Sequence, residues 1–162
     1  MIAFGKNDAI QGYAPFLIKT EEGEDNCVKF TVALAQCGEK RTVDTTNNEA
    51  LTDILSDCYP LSPDYDEVYE ITFEGYILHQ TRNESYCLWD DYEVREGKYF
   101  IEFARSRLLT VLPQMIDSDL MDVLTSPNKV KHYGIYCENH IIDIISCYAP
   151  TIIKLNNIGG TK

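Results

Sequence analysis

The chain carries none of the short motifs that announce common chemistries. Its nine glycines form no GxGxxG or GxxxxGK phosphate cradle, and no GxSxG turn presents a serine nucleophile. No CxxC occurs, which removes the usual zinc and thioredoxin-like readings. The three histidines, His79, His132 and His140, hold no zinc spacing. No apolar run approaches the ~18–20 residues of a membrane span. The opening MIAFGKNDAIQGYAPFLIK is broken by Gly5, Asn7, Asp8, Gln11 and Gly12, where a signal peptide needs an unbroken apolar region. Base is scarce: 14 Lys and Arg stand against 26 Asp and Glu, for a net charge of −12. A phosphate backbone is bound by Lys and Arg, so nucleic acid is not expected as a ligand. Anionic membrane surfaces are disfavoured for the same reason. The expectation is a cytoplasmic protein whose six cysteines (27, 37, 58, 87, 137, 147) are reduced small hydrophobes.

A length of 162 residues suits one domain, read here as 1–155, with a tail at 156–162. There is no internal repeat and no low-complexity block. Along 27–35, Val28, Phe30, Val32 and Leu34 alternate with Lys29 and Thr31, the period of a half-buried strand. Residues 40–45 can return beside it. Thr46, with Glu49 three residues on, matches a capping box. It opens a predicted helix with Leu51, Ile54, Leu55 and Cys58 on one stripe, stopped by Pro60. Residues 68–78 read as the longest strand, with Tyr69, Ile71, Phe73 and Ile77 on one face. Residues 85–90 and 98–104 read as further strands. Ser106 caps a predicted helix over 107–112, and Ser118 another that Pro127 stops. Residues 132–137 and 140–146 flank Glu138-Asn139 as a hairpin. Residues 151–155 read as a last strand. The expected fold is α+β: a single domain with an antiparallel β-sheet and about three short helices packed on it.

Reactive groups are few. If Glu138-Asn139 is the turn, Cys137 and His140 pair across the hairpin, and a Cys beside a His is the start of an activated thiolate. Nothing in the sequence supplies a third group to orient the imidazole, so a surface or half-buried role is the stronger reading. The runs Asp64-x-Asp66-Glu67, Asp90-Asp91-x-Glu93 and Asp117-x-Asp119 lack the glycine and spacing of a calcium loop. Solvated loop charge explains them better. No metal, no cofactor and no catalytic activity are expected.

Acid is concentrated in one stretch. Residues 62–93 hold nine acids, one base (Arg82) and seven aromatics, for a net charge of −8. Residues 94–162 carry +1. Acid interleaved with aromatic residues suits a surface that meets a basic partner, because charge steers the encounter and rings anchor it. Asp64, Tyr65, Asp66, Glu67, Trp89, Asp90, Asp91, Tyr92 and Glu93 are the candidate contact residues, as they fall largely outside the clean strand pattern. In size, charge and missing motifs the chain resembles the immunity proteins that neutralise bacterial toxins, nucleases especially. That likeness implies an inhibitor of a basic toxin, nuclease or other nucleic-acid-binding protein. Two other readings stand beside it. One is a small-molecule or enzymatic domain using Cys137, His140 and His132. The other is a regulatory subunit whose acidic face joins a larger complex.

Overall fold

The structure, a computed structural model, describes residues 2–39, 51–52, 55, 58–117, 119 and 130–156. Nine strands form in chain order: β1 (Phe16–Glu22), β2 (Val28–Cys37), β3 (Leu61–Phe73), β4 (Leu78–Asn83), β5 (Val94–Glu96), β6 (Phe100–Arg105), β7 (Lys131–Tyr136), β8 (His140–Ser146) and β9 (Thr151–Leu155). They build two antiparallel sheets. Sheet A has the order β1-β2-β3-β9 and sheet B the order β4-β8-β7-β6-β5.

The period-2 patterning decides which faces meet. Val28, Phe30 and Val32 of β2, with Ile71 and Phe73 of β3, are fully buried on the inner face of sheet A. They form one cluster with Phe100, Tyr133, Ile135, Ile142 and Ile144 from the inner face of sheet B. The Phe73 and Tyr133 rings meet across the two sheets, 5.4 Å between centroids. Phe4 meets Phe73, Phe100 and Tyr133 edge-on, at 6.1, 5.6 and 5.3 Å. The N-terminal segment is held there by Asp8. One of its carboxylate oxygens accepts the backbone N–H groups of Lys98, Tyr99 and Phe100.

The expected α+β layout, one sheet carrying about three short helices, is therefore overturned: the protein is mostly β, two sheets packed face to face. Each sheet covers the other's apolar face, so the core needs no helix layer. The one helix described end to end is α1 (Arg107–Val111), which runs into a 3-10 turn at Leu112–Gln114. Ser106 caps it as expected, accepting the Leu109 N–H at 3.1 Å. Most of the predicted helix between Thr46 and Pro60, the return strand at 40–45 and the helix from Ser118 to Pro127 lie outside the described residues. Of the stripe meant for the core, Leu51 is 44% exposed, Cys58 is exposed and Leu55 is half-buried, while Ile54 lies outside the described residues.

Other boundaries move. The long strand ends at Phe73, and the Ile77 N–H already bonds to the Ile145 carbonyl in sheet B. The predicted strand at 85–90 is instead a 3-10 turn, Glu84–Tyr86, followed by irregular chain. Asn83 captures the Ser85 N–H at 3.0 Å, which turns the backbone out of the ladder. Between β2 and β3, Ala33 pairs with Val68 but Leu34 pairs with Asp64. Tyr65, Asp66 and Glu67 thus bulge out of the ladder. The hairpin at Glu138-Asn139 forms as expected, closed by Cys137 N–H to the His140 carbonyl at 2.7 Å. Among the described residues no helix is long and apolar enough to cross a membrane.

Candidate functional site

Strand β8 reads HIIDIIS, and all of Ile141–Ser146 is buried. Its inner face supplies Ile142 and Ile144 to the core. Its outer face places Asp143, 0% exposed, between β4 and β7. Register sets Gln80 opposite Asp143 and Arg82 two residues along β4. The carboxylate accepts from Gln80 Nε2 at 3.0 Å, from Arg82 Nε and Nη2 at 2.8 and 3.1 Å, and from His132 Nε2 at 3.1 Å. Burial pushes the Asp143 pKa up. The bonds from His132, Arg82 and Gln80 outweigh it and leave the group below its ordinary value.

The other side of the His132 ring, Nδ1, lies 2.7 Å from Ser106 Oγ. Ser106, His132 and Asp143 thus join as a serine, a histidine and an aspartate. Such a trio invites comparison with a hydrolytic triad, but its chemistry is different. Ser106 is 4% exposed, and its oxygen already accepts the Leu109 N–H as the cap of α1. The imidazole is stacked on Phe103, 3.8 Å between ring centroids and 2° between planes. Each member of the relay, from Arg82 through Asp143, His132 and Ser106 to the Leu109 N–H, is engaged by the next. The relay fastens α1 to sheet B and holds one buried carboxylate in place.

Above the outer face of sheet B lies a groove of about 1020 Å³. Its walls come from the chain after β4, from α1 and from the β7–β8 turn. The residues between β4 and β5 form its rim, and their far end is pinned. Asp90 accepts from Arg107 at 3.0 and 3.4 Å and from the Tyr92 N–H at 2.8 Å. The Arg107 contact, then the Tyr92 N–H, holds the Asp90 carboxyl below its ordinary value. Tyr92 has Arg107 at 4.2 Å and Arg105 at 4.8 Å from its ring centre, and its hydroxyl meets Thr110. Glu93 pairs with Arg95, whose guanidinium also donates to the Tyr136 hydroxyl at 3.1 Å and lies 4.1 Å from the centre of the Trp89 indole.

The candidate contact residues fall into two places. Tyr65 and Asp66 are exposed on the β3 bulge of sheet A, with Asp64 accepting the Asp66 N–H. Glu67 there is bonded to Lys154 and Tyr69. The second group lies on the rim over sheet B. Asp90, Tyr92 and Glu93 are spent on internal contacts, whereas Trp89 and Asp91 are exposed. The pattern left out two neighbours that the structure presents with Trp89. Tyr86 is 86% exposed, Leu88 91% and Trp89 75%. Reading Tyr86–Trp89 as strand hid them, although four residues with no clean alternation were the available signal.

Cys137 is buried, and that burial pushes its thiol up to about 12. It is therefore no activated thiolate, although His140 does sit across the hairpin from it. None of the six cysteines, all among the described residues, forms a disulfide. Among the described residues no group of three or more His, Cys, Asp or Glu could hold a metal ion. No protein-family model, curated protein or solved structure matches this chain. The fold and site define a two-sheet β protein with a pinned, apolar-tipped loop beside a groove.

Proposed function

We propose that this is a protein-binding domain of the inhibitor or immunity kind, which captures a basic protein through the loop that follows β4. The observation that carries this reading is the joint exposure of Tyr86, Leu88 and Trp89. Tyr86 and Leu88 lie almost wholly in solvent, and Trp89 keeps most of its surface exposed while one face meets Arg95. An exposed apolar cluster on a rigid support is what a binding hot spot requires. The Asp90–Arg107 and Glu93–Arg95 pairs hold the adjoining chain, so less ordering entropy is lost when a partner docks. The net charge of −12 supports a partner of opposite sign. Cysteines without disulfides agree with a cytoplasmic setting. The satisfied Ser106–His132–Asp143 relay and the raised Cys137 thiol favour a non-enzymatic role. A second reading, a small-molecule site, draws on the groove volume alone.

The test is affinity capture from native lysate with the wild-type protein and with the triple variant Y86S/L88S/W89S. A stoichiometric basic protein held by the first and lost by the second is the expected result. Equal capture by both, with the variant folded, removes the loop from the binding surface. A metabolite retained in native mass spectrometry, with no protein partner, favours the second reading.

A further inference from the structure

Charge bookkeeping inside the groove says what kind of side chain the partner brings. Arg82, Arg95 and Arg107 line it, and each is matched to an internal carboxylate: Asp143, Glu93 and Asp90. Lys98 donates to the Gly12 carbonyl at 2.7 Å and lies against the Tyr99 ring. The three arginines are therefore neutralised, and Lys98 is the one lining cation with a carbonyl and a ring but no carboxylate for a partner. Two of the groove's acids stand without partners. Among the described residues, no hydrogen bond or ion pair engages the carboxylate of Glu84 or of Glu138. The two belong to adjoining segments, since the Glu84 N–H bonds to the Asn139 carbonyl at 3.3 Å. Glu84 also starts the turn that presents Tyr86 and leads to Leu88 and Trp89. Apolar anchors thus stand beside two unneutralised acids.

We infer that the groove takes a Lys or Arg side chain of the partner between Glu84 and Glu138, while flanking apolar residues of the same partner segment cover Tyr86, Leu88 and Trp89. An acidic segment would meet Lys98 alone against two carboxylates without partners, Glu84 and Glu138. A basic segment completes two carboxylates without breaking any internal pair. This rests on the docking reading above and adds the partner's chemistry to it.

The probes are three short capped peptides that alternate leucine with arginine, with glutamine or with glutamate. The readouts are amide chemical shifts of the labelled protein and fluorescence of Trp89, the chain's single tryptophan. The arginine peptide is expected to shift Glu84, Trp89 and Glu138 and to bind tightest, more weakly as salt rises. E84Q/E138Q should weaken it about two- to thirtyfold, the range of two exposed ion pairs. E24Q/E74Q, two exposed acids outside the groove, should leave it unchanged. Equal weakening by both double variants would assign the effect to bulk charge and overturn the inference. So would preference for the glutamine or glutamate peptide at the same residues, with the docking loop left standing. Shifts from no peptide anywhere on 84–93 would count against the loop itself.

Discussion

Replacing Asp143 by Asn tests the relay most directly. The substitution keeps the volume and removes the charge. It leaves one oxygen to accept and turns an NH₂ toward Arg82, which can only donate, and toward Gln80 or His132, which donate to the carboxylate as bonded here. Four hydrogen bonds converge on the carboxylate, two on each oxygen, so two are lost. Bonds to charged groups contribute roughly 1.5–3 kcal/mol each. Arg82 has a side chain 41% exposed and can turn toward water, which places the expected loss near the low end, about 3 kcal/mol. Against a total stability of roughly 5–15 kcal/mol this is a large effect. A urea titration of both proteins at neutral pH reads it as a lower midpoint with an unchanged slope. The pH dependence gives a second handle. Asp143 has a folded pKa below its ordinary 3.8, so its contribution is present above that value and disappears as pH falls through the lower folded value. The gap between wild type and D143N should be flat from neutral pH to about 5 and close below 3.8. A loss under about 1 kcal/mol at neutral pH, or a gap that widens in acid, would refute the reasoning.

Two further predictions use the backbone and the cysteines. Gly97 and Gly12 both have positive φ, +99° and +93°, but a Cβ on Gly97 would lie 2.5 Å from the Phe100 carbonyl oxygen whereas one on Gly12 meets nothing within 4 Å. Gly12→Ala should therefore cost about 1 kcal/mol of strain and Gly97→Ala at least about 2 kcal/mol more, read by thermal or urea unfolding; equal losses would mean that the turn before β6 yields to the methyl. Native alkylation with iodoacetamide at mildly alkaline pH should label Cys37 and Cys58, which are exposed, and spare Cys137, whose thiol burial pushes to about 12. Peptide mapping by mass spectrometry that finds Cys137 modified at a rate like theirs would show that the β7–β8 turn opens.

What could be read from sequence was whatever had one wet face and one dry face. β2 and β3 announce themselves because Phe30, Ile71 and Phe73 alternate with Lys29, Glu70 and Thr72. The β7–β8 hairpin and the Ser106 cap depend on local turn chemistry, which also survives in one dimension. β1 was missed because its residues from Ile18 to Glu22 include four polar positions and follow β2 by pairing, not by their own preference. The expected helical core failed because an apolar stripe does not say what it packs against. Asp143 was passed over although an acid inside IIDII is an anomaly in an apolar strand. Finding its partners needed the register that brings Arg82, Gln80 and His132 beside it. The rim was half legible. Its acids drew notice, but which ones are neutralised depends on Arg95 and Arg107, later in the chain.

The strand order has a consequence for how this protein can change. Sheet B is one unbroken stretch of chain, leaving sheet A after β3 and rejoining it at β9. It starts and finishes on neighbouring strands, β4 and β8. The two crossings touch, with Ser146 Oγ donating to the Gly75 carbonyl and the Tyr148 ring lying against Gly75. The groove and its rim therefore sit on a closed excursion whose two ends are fastened side by side. Lengthening or rebuilding the chain between β4 and β5 alters the loop that carries Trp89 without changing a single strand pairing in sheet A. The half that faces a partner can be remodelled while the other half keeps its register.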